Sequence, residues 1–149
     1  MASLKQLEMI LKLRQDAEEK TSKMMQQALA KFTELEQQQK LLYQYKNDYL
    51  RKMTESGKTG LAASSYAQYH DLLTRLDQSI GRSQQQLAIA QRVVSQRQQA
   101  WQKSRADTKA IETLINKEQV ALALKTLRAE QKQTDEFVNA RAARNSTKR

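Results

Sequence analysis

The chain has 149 residues, with 26 Lys and Arg against 16 Asp and Glu, three glycines, no proline and no cysteine. A β-sandwich or an α/β fold of this length needs many turns, and turns depend on Gly and Pro, so both fold classes are close to excluded. Without cysteine there are no disulfides and no thiolate metal sites, and His70 as the single histidine argues against a His-based metal site or a catalytic triad.

Hydropathy and charge indicate where the protein is located and which kinds of partner it binds. No apolar run approaches the ~18 residues that a membrane span needs. Charged residues interrupt the N-terminal stretch where a secretory signal would have its apolar region. We therefore expect a cytoplasmic protein. The net charge of +10 favours an acidic partner, such as nucleic acid, a membrane surface or an acidic protein cavity.

The first third of the chain predicts a coiled-coil helix over residues 3–54. Heptad a and d positions from Leu4 to Met53 are mostly apolar, which is typical of a helix that packs along one seam. Ser3 can cap the start of the helix, and Gln6 three residues later makes a weak capping box. The polar residues that interrupt the seam are Arg14, Glu18, Thr21, Gln39 and Lys46.

The next segment predicts a turn over residues 55–64. It holds two of the three glycines and several hydroxyl residues, the strongest loop signal in the chain. GKTG at 57–60 lacks both the spacing and the preceding strand of a phosphate-binding loop, so we interpret it as part of the turn. Ser64 or Ser65 is a plausible N-cap for the second helix.

A second helix is predicted over residues 65–142, with a basic tail at 143–149. Its seam runs from Tyr66 to Ile115. We therefore predict an all-α fold, a single coiled-coil domain over 1–149, in which two long helices form an antiparallel hairpin and the second helix is longer. A turn centred near residue 59 places Leu42 opposite Leu76 and Tyr49 opposite Tyr69.

The second predicted helix is longer than the first. Residues 116–142 have no partner within the predicted hairpin, yet apolar side chains recur there. Such side chains need burial elsewhere, and a protein partner is the obvious place, although a frayed end with scattered apolar residues is the alternative. The residues concerned are Val120, Leu122, Leu124, Leu127, Phe137 and Val138.

Five tyrosines lie close to the predicted turn, between Tyr43 and Tyr69. Tyr45 and Tyr49 share one helix face because they are four residues apart. Leu72 lies beside the seam and widens the apolar stripe. The tyrosines either close the seam with their hydroxyls in water or form a binding patch, since tyrosine is enriched in interfaces.

No cluster of residues points to catalysis. Asp16, Glu18 and Glu19 most simply form a solvated helix face, because a two-helix hairpin offers no cleft for acid–base chemistry. The basic stretch 82–105 can attract nucleic acid by charge. Its only aromatic residue, however, is Trp101, which lies at a seam position and is therefore expected to pack between the helices. Membrane binding needs a wider apolar face than this seam provides.

Four features carry a family resemblance: LLYQYKNDYL at 41–50, SYAQYHDLLTRLDQSIGRSQQQL at 65–87, the lone Trp101, and EQKQTDEFVNARAAR at 130–144. Together with the Gly-containing turn and the longer second helix, they make the chain resemble the FliJ family of flagellar export proteins. Stalk proteins of virulence-type secretion systems share this helical pattern, so they remain an alternative, as does a nucleic-acid-binding coiled coil.

The resemblance implies a non-enzymatic component of the type III export apparatus that uses no cofactor and no metal. Family members are similar to the central γ stalk of rotary ATPases. They insert into the hexameric ring of the flagellar export ATPase, promote its assembly and turnover, contact the cytoplasmic domain of the export gate and handle free export chaperones. The implied location is cytoplasmic, at the periphery of the inner-membrane export apparatus, with neither nucleic acid nor direct membrane insertion.

From this resemblance we expect two sets of partner-binding residues. The residues expected to contact the ATPase ring are Leu4, Leu7, Leu11, Leu124, Leu127, Phe137, Arg141 and Arg144. The residues expected to contact the export gate are Tyr45, Tyr49, Leu72 and Leu76.

Overall fold

The computed structural model describes residues 3–60 and 63–147. Helix α1 spans Leu4–Thr59 and helix α2 spans Ala63–Thr147; the described residues contain no strand. The two helices are antiparallel, because Tyr43 contacts Gln84 whereas Lys46, further along α1, contacts Asp77. The predicted all-α antiparallel hairpin with a longer second helix is confirmed.

The seam follows the predicted heptad positions. Every one of them is buried or half-buried, except Arg14 in α1 and Tyr66 and Arg97 in α2. No described side chain falls below 2% exposure, as expected where only two helices cover each other. The buried residues, all at predicted seam positions, are Leu7, Ile80, Ser83, Ala90, Val94, Thr108 and Ile115.

The predicted capping box forms at the start of α1. The backbone N–H of Gln6 donates to Ser3 Oγ at 3.2 Å, and the backbone N–H of Ser3 donates to Gln6 Oε1 at 3.0 Å. Two amide groups that the first turn leaves without helical partners are thereby satisfied.

The turn is shorter than the predicted 55–64. Helix α1 continues through residues 55–58, because Gly57 alone costs a helix only about 1 kcal/mol, and ends at Thr59. Gly60 follows with φ +86°, a left-handed conformation that glycine adopts without strain and that commonly ends a helix. Helix α2 begins at Ala63, ahead of the serines expected to cap it.

The longer α1 shifts the register between the helices. Lys46 Nζ lies 2.7 Å from Asp77 Oδ1 and Gln84 Nε2 lies 3.1 Å from the Tyr43 hydroxyl oxygen, so the residue numbers of these contacting pairs sum to 123 and 127 rather than 118. When the turn centre moves one residue further along the chain, the number of the residue that faces a given position increases by two. Leu42 and Tyr49 therefore face positions on α2 that lie several residues later than the predicted Leu76 and Tyr69.

Helix α2 also runs further than the predicted 142 and ends at Thr147. The Thr147 hydroxyl donates to the carbonyl of Ala143 at 2.9 Å, and Arg144 places a positive charge in the last turn, where the helix dipole favours it. Of the predicted basic tail, residues 143–147 are helical, and residues 148–149 lie outside the described range.

The chain divides into two compact units. The turn-proximal unit comprises Glu19–Lys103 and contains the turn and most of the seam. The terminal unit combines the described residues 3–18 of the N-terminal segment with 104–147 of the C-terminal segment. Its own seam includes buried Leu7, Thr108 and Ile115.

Candidate partner-binding surfaces

The C-terminal part of α2 has an uncovered surface. Ile115 is buried and Glu118 is half-buried, but every residue from Gln119 to Thr147 is exposed. We call residues 119–147 the overhang; it is about 43 Å of helix at roughly 1.5 Å per residue. It begins three residues later than predicted because the register is shifted.

The overhang carries large apolar side chains that are 48% or more exposed. Leu124 is 48%, Leu127 61% and Phe137 68% exposed. Helical spacing puts Leu124 and Leu127 on one face, together with Val120, because the three are separated by four and three residues. These side chains form an apolar stripe without a covering element among the described residues of the chain.

The distal half of the overhang combines an aromatic ring with positive charge. Phe137, Arg141 and Arg144 follow one another at intervals of four and three residues, so they share a face, about a quarter-turn from the leucine stripe. Neither arginine forms an ion pair with a residue in the described ranges. This face suits a surface with an apolar pocket beside carboxylates.

The N-terminal leucines are placed differently. Leu7 is only 6% exposed, and Leu4 and Leu11 are half-buried, all within the terminal unit. Their side chains pack into the seam and offer a partner little apolar area. Both sets were expected from the sequence to contact the ring. The overhang residues are exposed, however, whereas these leucines are buried or half-buried.

The elbow patch, defined as Tyr45, Tyr49, Leu72 and Leu76, lies near the turn. Tyr45 is 52% exposed, and the other three are half-buried. Tyr45 and Leu76 each directly precede a member of the interhelical Lys46–Asp77 ion pair, which brings their chain segments together. The Lys52 ammonium lies 5.8 Å from the Tyr49 ring centroid, within the range of a cation–π contact.

Leu72 faces a shallow depression of α2 that is also lined by Ser65, Gln68 and Tyr69. These residues recur at helical spacing on one side of α2. The lining combines Leu72 and Tyr69 with the polar side chains of Ser65 and Gln68, so the elbow patch borders a small concavity of mixed polarity. The patch thus offers a partner both an exposed phenol ring and an adjoining recess.

One surface was missed at the level of sequence. A groove in the turn-proximal unit has an apolar lining of Ala28, Leu35, Ile89, Ala90 and Val93. Ile89 is 59% exposed. The signal was present, because Ile89 and Val93 are four residues apart and directly precede the seam positions Ala90 and Val94, which widens the apolar stripe just as Leu72 does.

The described residues hold no group of three or more His, Asp or Glu arranged to bind a metal ion. None of the helices, searched over the same residues, has a segment long and apolar enough to cross a membrane.

Comparison with known proteins gives a consistent assignment. The chain matches the family described as the flagellar FliJ protein over residues 3–147. It is 27% identical over 109 residues to the flagellar FliJ protein of Escherichia coli strain K12, covering 73% of this chain and 74% of that protein. The flagellar FliJ protein of Salmonella typhi matches with the same identity and coverage. No solved structure matches the chain.

Proposed function

This chain belongs to the FliJ family of flagellar export components, and from that premise we propose that it is a non-enzymatic central stalk of the export ATPase. In this proposal the overhang enters the hexameric ring and promotes its assembly and turnover. The elbow patch contacts the cytoplasmic domain of the export gate, and the protein also handles export chaperones. It acts in the cytoplasm, at the periphery of the inner-membrane export apparatus.

The observation that carries the proposal is the exposure of the overhang. Leu124, Leu127 and Phe137 leave apolar area in water, and each large apolar side chain gains about 1.5–3 kcal/mol when fully buried. Arg141 and Arg144 add positive charge next to that area. A ring lumen that combines apolar and acidic side chains would satisfy both requirements.

The test is stimulation of the cognate export ATPase at low ring concentration. Wild-type protein should raise the turnover rate, and the double variant Leu124→Ala with Leu127→Ala should lose most of that effect, because it removes the apolar stripe. Leu41→Ala is the matched control, since Leu41 is also 48% exposed but lies on α1 in the turn-proximal unit. Its stimulation should equal that of the wild type.

Two outcomes count against the proposal. Full stimulation by the double variant would place the ring contact elsewhere, with the N-terminal leucines or the elbow patch next to be tested. Tight, steeply salt-dependent binding to DNA or RNA without any effect on the ATPase would favour a nucleic-acid-binding coiled coil, because phosphate contacts release counterions.

A further inference from the structure

The apolar groove in the turn-proximal unit belongs to none of the surfaces assigned above. Its lining includes two small residues at seam positions, Ala28 on α1 and Ala90 on α2. The larger apolar side chains of the lining are Leu35 on α1 and Ile89 and Val93 on α2. Small residues in a seam let a neighbouring helix approach closely, and the flanking side chains provide apolar contacts.

The α2 side of the groove is positively charged. Arg82 and Arg97 share a helix face with Ile89 and Val93, because positions 82, 86, 89, 93 and 97 are three or four residues apart. The two arginines lie about 22 Å apart along the helix. Neither pairs with a carboxylate in the described ranges, and the sequence has no acid from Gln78 to Ala106.

The α1 side of the groove is close to neutral. Lys31 lines the groove, and its ammonium lies 3.7 Å from a carboxylate oxygen of Glu34. The groove is therefore an apolar strip with an uncompensated positive charge near each end of one edge. An occupant should be apolar along its centre and acidic near both ends.

We propose that this groove binds an acidic amphipathic helix of a partner protein, about four turns long, with carboxylates that reach Arg82 and Arg97. Helix-in-groove recognition uses apolar anchors spaced at i, i+3, i+4 and i+7, which match the strip of Leu35, Ile89 and Val93. The proposal is independent of the stalk function, because none of these residues belongs to the overhang or the elbow patch.

Other occupants fit less well. A second copy of this chain related by a two-fold axis would bring the same positive edge against itself. Nucleic acid is attracted by arginines, but the groove lining contains no aromatic side chain on which bases can stack. An acidic helix satisfies both the apolar lining and the charge.

The experiment measures fluorescence anisotropy of a labelled peptide with the full-length protein. The probe is a helical peptide of about 16 residues with leucines at i, i+3, i+4 and i+7 spacing and glutamates near both ends. A peptide with lysines in place of the glutamates is its control. We expect saturable binding of the acidic peptide and at least tenfold weaker binding of the basic one.

Two pairs of variants locate the site. Ile89→Ala should weaken peptide binding about tenfold, as expected for the loss of one buried apolar side chain, whereas the exposed Leu41→Ala should leave it within about twofold. Arg97→Glu should weaken binding by at least about fivefold, and added salt should reduce the difference. Arg92→Glu makes the same charge change on another face of α2 and should have little effect.

Several results would overturn the proposal. They are the absence of saturable binding, equal binding of the acidic and basic peptides, or equal losses for Arg92→Glu and Arg97→Glu. Tighter binding of a single-stranded oligonucleotide with the same dependence on Arg97 would assign the groove to nucleic acid. A dimer seen by sedimentation that Ile89→Ala dissociates would assign it to a second copy of the chain.

Discussion

Lys46 Nζ and Asp77 Oδ1 lie 2.7 Å apart and join α1 to α2 across the seam. Lys46 occupies a heptad seam position where an apolar residue is expected, and its side chain is 33% exposed. The ion pair explains how the seam accommodates a charge there: the aliphatic stem packs along the seam while the ammonium reaches the partly solvated carboxylate. The pair also marks the register of the hairpin.

We predict that Lys46→Leu raises the thermal midpoint of unfolding. Asp77 is 56% exposed, so the ion pair contributes only about 0.2–1 kcal/mol, whereas an additional leucine in the seam gains about 1–2 kcal/mol at partial burial. Circular dichroism melts of the wild type, Lys46→Leu and Asp77→Ala measure this. A lower midpoint for Lys46→Leu would mean that the charge pair is needed to hold the register.

The glycines should respond to alanine with opposite signs. At Gly81, inside α2, an added Cβ meets nothing within 4 Å, so Gly81→Ala should stabilise the protein by about 1 kcal/mol through helix propensity. At Gly60 there is equal space, but φ is +86°, so Gly60→Ala should destabilise it by about 1 kcal/mol or more. Denaturant unfolding of both variants measures the two changes, and stabilisation by Gly60→Ala would contradict the left-handed conformation.

The seam was predictable from sequence because a two-helix hairpin has only one buried stripe, and the spacing of apolar residues reports it directly. The turn was not, because both Gly57 and Gly60 look like helix breakers in sequence. Of these two glycines, only Gly60 has a positive φ, and the sequence alone does not show which of them ends α1. The error in register followed from the position of the turn alone.

The candidate surfaces were predictable to a lesser degree. The exposure of Leu124 and Phe137 followed from the unequal lengths of the helices, which sequence periodicity reveals. The heptad pattern placed Leu7 in the seam, and the same residue was also expected to bind a partner; these expectations conflict, and its burial favours the first. The apolar stripe of Ile89 and Val93 was readable from the sequence, but the groove was not, because its lining also requires Ala28 and Leu35 of α1 at the correct register.

Leu72→Ala tests the elbow patch, with Leu73→Ala as its matched control. Both leucines are half-buried, but Leu73 is a seam residue, whereas Leu72 lines the depression beside Tyr69. Leu72→Ala should weaken binding to the cytoplasmic domain of the export gate, or motility, with little change in melting. Leu73→Ala should destabilise by about 2 kcal/mol or more. A comparable loss of stability for Leu72→Ala would assign Leu72 to the seam instead.

The overhang should be dynamic in the free protein and ordered in the ring. A single helix without tertiary packing is marginal in water, and residues 119–147 are exposed throughout. Amide hydrogen exchange should therefore be fast there in the free protein and slow when the ATPase is present, while the seam amides of residues 70–95 stay protected in both states. Strong protection of the overhang in the free protein would show that it is already packed, for example in an oligomer.

A chain truncated after Gln119 separates folding from function. It keeps the buried seam residues Leu7 and Ile115, and every described side chain that it removes is exposed, so little apolar burial is lost. Its helical content per residue and its melting temperature should stay close to those of the full chain, with a shift of a few degrees at most. It should nevertheless fail to stimulate the export ATPase, because the leucine stripe and the face of Phe137, Arg141 and Arg144 are gone.

Binding of the acidic peptide at the groove should persist, which provides an internal control for a correctly formed hairpin. Full ATPase stimulation by the truncated chain would exclude the overhang as the ring contact, even if the hairpin and groove behave as expected.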